Sequence, residues 1–240
     1  MRADAAVTCS DYSQVMAASP RGIEALLMEE SVKPRLRGLS HLLAAGAALY
    51  GCIRLALAPA QGAQYTAALV FGISLVLMFG VSGTYHWPTW SPAAYARLRR
   101  CDHAAIYFLI AGSFTPMAAL ETRSGWSTPL LFLMWGCALT GATLALLGIS
   151  ASRGLRSALY VALGLLASPV VAQLPAIIGP TRVAGLVLGG VLYALGAVVY
   201  AKRWPDPKPT FFGYHEVFHL MVIAAAGAHY AVLTSFLWSR

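Results

Sequence analysis

Charge is what this sequence has least of. Asp, Glu, Lys and Arg together make up 11% of its residues against 58% apolar ones, where a soluble domain carries about a quarter charged. That balance excludes a water-soluble fold. Paired cysteines are missing too. Cys9, Cys52, Cys101 and Cys137 show no C-x-x-C motif and no paired spacing, which excludes a disulfide framework and leaves Cys52 and Cys137 as small packing residues inside helices. The first 35 residues, with Asp4, Asp11, Glu24, Glu29 and Glu30, hold no apolar run of signal-peptide length, so no cleaved leader is expected. Internal repeats and long connections are also lacking, which leaves no room for a second domain.

What is present is a series of long apolar stretches. A helix needs about 20 such residues to cross the hydrocarbon layer. Seven stretches qualify: Leu39 to Ala58, Tyr65 to Trp87, Ala104 to Leu120, Thr128 to Ile149, Ala158 to Leu174, Val183 to Tyr200 and Gly213 to Leu237. The fold class expected is therefore all-α, a polytopic membrane bundle of seven transmembrane helices over residues 36–240. The segment 1–35 precedes it as a cytoplasmic arm, in which Ile23 to Val32 could form a short amphipathic surface helix or remain a disordered tail. The fifth stretch is the weakest, because Pro169, Gln173 and Pro175 interrupt it. The loop between the second and third stretches is expected to run from Pro88 to His103.

A net charge of +8 invites a nucleic-acid partner, but its distribution points to membrane topology. With the N-terminus inside, 13 of the 17 Lys and Arg fall on the cytoplasmic side: Arg2, Arg21, Lys33, Arg35, Arg37, Arg97, Arg99, Arg100, Arg153, Arg156, Lys202, Arg203 and Lys208. Only Arg54, Arg123, Arg182 and Arg240 fall on the other. The asymmetry follows loop parity, which supports an odd number of crossings, a cytoplasmic N-terminus and a C-terminus on the opposite side. No nucleic-acid partner is expected; the partner implied is a membrane lipid.

Ionisable groups within spanning helices are costly and mark candidate sites. Ser82 and His86 close the second helix, Asp102 and His103 open the third, and His215, Glu216 and His219 open the seventh. His215 and His219 are four apart and so share a helix face, as do Ser82 and His86. The assumed directions of the chain bring all three places to the cytoplasmic end. Three neutral imidazoles with an open fourth position are the ligand set of a catalytic zinc ion, which lowers the pKa of its water to about 7. His86, His215 and His219 are the expected ligands, Asp102 a proton acceptor, and Ser82 a hydrogen-bonding partner of Asp102, a ligand or the oxyanion. The alternatives are two interior histidines bonded to neighbours, and a serine that only lets two helices pack closely.

His215 to His219 also fits H-E-x-x-H, with Glu216 as a general base. Glu216 could equally turn toward Lys202 and Arg203. His41 begins the first helix and His103 neighbours Asp102, so either could simply lie at the membrane interface, and His229, about 20 Å up the helix from His215, is expected in a buried hydrogen bond.

Ser82-x-x-x-His86, the helix opened by Asp102 and reading Ala105 to Pro116, and Gly213-Tyr214-His215-Glu216-Val217-Phe218-His219 together resemble the hemolysin III family, the bacterial branch of the progestin and adipoQ receptor (PAQR) group. Lys33 to Gly38 is similar to that family's lead-in, so the resemblance covers nearly the whole chain from Lys33. It implies a multi-pass protein of the bacterial inner membrane with a cytoplasmic zinc site. His86, His215 and His219 match the zinc-binding histidines, Asp102 the water-associated aspartate and Ser82 the motif serine. Relatives often carry another residue at the position of Glu216, which argues against protease chemistry. Some PAQR proteins are linked to ceramidase activity, so the resemblance implies a zinc-dependent hydrolase of lipid amides or esters. It also leaves open a receptor-like lipid sensor with structural zinc, and the cytolytic pore of the family's name.

Overall fold

In a computed structural model, residues 34–58, 61–121, 125–149 and 151–238 are described. They form α1 (Leu39–Ala56), α2 (Gly62–His86), α3 (Pro92–Leu120), α4 (Ser127–Leu146), α5 (Arg153–Leu165), α6 (Ser168–Val171), α7 (Pro175–Ile178), α8 (Pro180–Lys202) and α9 (Tyr214–Leu237). No strand occurs among the described residues, only an isolated bridge between Lys208 and Phe212. Among the described residues, seven spans are long and apolar enough to cross a membrane, the fifth being Arg153–Val171. The surface helix expected within Ile23 to Val32 lies outside the described residues.

The crossings match the apolar stretches, and the differences at their ends have physical causes. Most of the loop expected from Pro88 to His103 is helix instead. Ser91 caps it, accepting a bond from the Ala94 N–H at 3.4 Å, and Pro92 supplies a preset φ at the first position. Charge at Arg97, Arg99 and Arg100 ends an apolar stretch without ending a helix. This extension of about three turns carries Asp102 as part of a continuous rod.

The fifth crossing breaks as its prolines predict. α5 ends at Leu165, and the chain then proceeds through the short turns α6 and α7 to Gly179, whose φ of 85° suits glycine. α8 then starts at Pro180, three residues before the expected Val183.

Consecutive helices pack as pairs, α8 also meets α5, and α9 returns against α1. Large apolar side chains such as Leu43, Leu57 and Phe132 point outward, as a lipid-facing surface requires. Phe71, Leu75, Phe114 and Met134 fill the interior. Close approach of α1 to α2 depends on Gly72 and Gly83, where an added Cβ would lie 2.9 Å from Cys52 Sγ and from the Leu42 backbone, respectively. Cys52 thus packs between helices. Cys137 does not: it is exposed on the outer face of α4.

Candidate metal centre

α2 ends, α9 begins and the lower part of α3 passes at one end of the bundle. There the side chains of His86, His215 and His219 meet, all buried. Their nitrogens offer one ligand atom each within 4.8 Å of one another. His215 Nε2 is 3.2 Å from His86 Nε2, close to the edge of about 3.3 Å expected between two nitrogens on a tetrahedral zinc. The ring centroids are 4.6 Å (His86 to His215), 5.1 Å (His86 to His219) and 4.5 Å (His215 to His219) apart. Three imidazoles from two helices thus lie close enough to hold one metal ion.

Asp102 joins them from α3, with Oδ2 3.9 Å from His86 Nε2. The Ser82 hydroxyl, one turn before His86, lies within reach of the Asp102 carboxylate. All five residues singled out in the sequence therefore converge.

The first turn of α9 is held by two carboxylates. Tyr214 N–H donates to Asp206 Oδ1 at 2.9 Å and Gly213 N–H to Glu216 Oε2 at 2.8 Å, which satisfies amide donors that a helix start leaves open. Glu216 is 2% exposed, and its Oε1 accepts from Arg37 Nε at 2.5 Å. Glu216 therefore faces the lead-in segment, not Lys202 and Arg203. With both oxygens engaged, it is a cap and an ion-pair partner, and the general-base role has no support in its surroundings.

Arg37 reaches Glu216 because the lead-in lies along the loop before α9. Arg35 N–H donates to the Thr210 carbonyl at 3.2 Å and Leu36 N–H to that of Phe211 at 3.3 Å. Gly38, at φ 84°, then turns the chain against the end of α2; an added Cβ would lie 2.6 Å from His86 Cβ and 2.7 Å from Trp87 N.

His41 belongs to the site. It is 2% exposed, its ring stacks on that of His219 with centroids 3.6 Å apart and planes 10° from parallel, and its Nδ1 is 2.9 Å from Ser82 Oγ. Arg37, Gly38 and His41 are the site residues that sequence reasoning missed. One signal was available: α1, α3 and α9 all begin at the same end, so a histidine in the first turn of α1 had to lie at the depth of His215. His103 is half-buried, and its carbonyl accepts from the Tyr160 hydroxyl at 3.1 Å. His229 is buried, with Nε2 3.0 Å from the Leu186 carbonyl, as expected of it.

Above the histidines lies a cavity of about 660 Å³, within the range of small-molecule sites. His86, Asp102 and His219 line one end, Ile106, Leu109, Ile110 and Phe114 the middle, and His229 the other end. Arg99, Arg153 and Arg156 line it near the histidines. Arg156 Nη2 donates to the Tyr200 hydroxyl at 3.2 Å, and Arg153 Nη1 to that of Tyr214 at 2.8 Å.

The family described as Haemolysin-III related matches residues 30–230. Among individual proteins, the chain is similar to a hemolysin-3 homolog of Bacillus subtilis, with 29% identity over 159 residues, 66% of this chain and 71% of that protein. It is 25% identical over 175 residues to the human monocyte to macrophage differentiation factor, covering 71% of this chain and 70% of that one. An adiponectin receptor protein of Drosophila melanogaster shares 29% identity over 228 residues, covering 80% of this chain and 48% of the receptor.

Proposed function

Given that this chain belongs to the haemolysin-III related family and is an integral, multi-pass membrane protein, we propose that it binds zinc through His86, His215 and His219 and hydrolyses an amide or ester bond of a membrane lipid. The observation that carries this reading is the junction of two environments. Three buried imidazoles, a carboxylate and a hydroxyl meet at the mouth of a long apolar cavity.

A zinc ion at the three nitrogens would supply Lewis acidity and acidify a water molecule. The chain's own residues account for the rest. Asp102, beside His86, accepts the proton of the attacking water and returns it to the leaving group. Ser82, between His41 and Asp102, fixes the carboxylate's orientation. Ile106, Leu109 and Phe114 hold the lipid chain and keep bulk water out. With the basic loops inside, this end of the bundle faces the cytoplasm.

The test is hydrolysis by the purified protein of a panel of lipid amides and esters. Asp102→Ala is expected to lower turnover by about 10²-fold or more while zinc content is kept. His219→Ala is expected to lose both. Full zinc occupancy with no turnover on any lipid would overturn the hydrolase reading. It would favour a lipid sensor with structural zinc, a reading to which the similarity to an adiponectin receptor protein lends support. The cytolytic reading draws only on the names of the hemolysin-3 relatives; the cavity's middle is apolar, whereas a conducting pore needs a water-lined path.

A further inference from the structure

The far end of the cavity is not apolar. Ser113 of α3, Tyr193 of α8 and His229 of α9 all line it. Ten residues of α9 separate His229 from His219, so this trio lies about 15 Å from the metal centre along the helix axis. The Tyr193 and His229 rings meet edge to face with centroids 5.7 Å apart. The Tyr193 hydroxyl and Ser113 Oγ face each other without reaching hydrogen-bond geometry, and His229 Nδ1 has no partner either. Ser113 and His229 are 8% and 7% exposed.

Several threonines in the spanning helices settle their bonding locally. Thr115 donates to the Ala111 carbonyl at 2.7 Å, Thr140 to that of Gly136 at 2.8 Å and Thr234 to that of Tyr230 at 2.9 Å, the usual back-bond to residue i−4. Ser113 makes none. The histidine's chemistry is also fixed. Nε2 lies 3.0 Å from the Leu186 carbonyl, which only accepts, so Nε2 carries the proton and Nδ1 presents a bare lone pair. Gly189 makes room for that ring, since an added Cβ would collide with its Cδ2 and Nε2. The cluster therefore has one acceptor in need of a donor and two hydroxyls that can each donate or accept.

From this we infer that Ser113, Tyr193 and His229 form a second polar subsite, which takes a hydroxyl group carried on the far part of the lipid chain that fills the cavity. The ligand hydroxyl donates to His229 Nδ1 and, through its two lone pairs, accepts from both Tyr193 and Ser113, so all three partners are satisfied at once. A plain chain leaves the His229 acceptor unpaired, and sites built to bond a substrate hydroxyl discriminate strongly against analogues that lack it. The subsite rests on the proposal that the cavity holds a lipid chain, and it selects among such chains.

Equilibrium binding to the purified full chain in detergent tests it, with stearate compared with a hydroxystearate bearing its hydroxyl in the far half of the chain. The wild type is expected to favour the hydroxylated acid about tenfold, or ~1.4 kcal/mol. Tyr193→Phe and Ser113→Ala should each shrink that preference while leaving stearate affinity in place. Equal affinity of the wild type for the two acids overturns the subsite, as does a preference that survives both substitutions. If neither acid binds, the subsite and the lipid-filled cavity fall together. If the preference holds but no lipid is hydrolysed, the subsite stands and the hydrolase reading falls alone.

Discussion

Arg37 and Glu216 show how a single ion pair joins remote parts of the chain. Glu216 is nearly inaccessible and bonded through both oxygens, so removing its cation leaves a buried charge without a counterpart. Arg37→Gln is expected to destabilise the protein by about 3–5 kcal/mol, read as a lower thermal midpoint in detergent. The double variant Arg37→Gln, Glu216→Gln should recover part of that loss; no recovery would mean that Arg37 acts through something other than Glu216. His41 acts on the site through contacts with a histidine and a serine. Groups that orient metal ligands change affinity by about 10- to 100-fold when altered. His41→Ala should therefore weaken zinc binding by about tenfold in a chelator competition, and unchanged affinity would reduce the stack to simple packing.

At the scale of elements, the site depends on where helices start. Gly38 sets the lead-in against the end of α2, and its φ of 84° penalises any side chain there. Gly38→Ala is expected to cost more than 1 kcal/mol of stability and to lower zinc affinity as well, because the added methyl would press on His86. A loss of stability with unchanged zinc affinity would show that the lead-in does not shape the site. The helices themselves were legible in the sequence, since apolar runs of membrane length leave few alternatives, and the i, i+4 spacing of His215 and His219 placed both on one face. Roughly the first three turns of α3 were not, because hydropathy does not register a polar helix whose start is written in Ser91 and Pro92. The pairing of Arg37 with Glu216 was not legible either. It depends on the lead-in running beside Thr210 and Phe211, a tertiary contact without a periodic signal.

For the whole molecule, seven spans among the described residues are long and apolar enough to cross a membrane, and the cytoplasmic placement of the histidine cluster is part of the proposal, supported by the 13-to-four division of Lys and Arg. The bundle exposes apolar side chains outward and encloses a cavity whose polar mouth lies at the end carrying most of the basic residues. Under the proposed function, a lipid would bring its hydrolysable bond to the histidines while its chain stays in apolar surroundings. The central claim is that these histidines hold zinc, and metal analysis of the purified protein beside a His86→Ala, His215→Ala, His219→Ala variant tests it most directly. The account predicts about one zinc ion per chain in the wild type and none in the variant, since coordination by three neutral imidazoles needs all three. A wild type free of zinc, or a variant that keeps it, would contradict it.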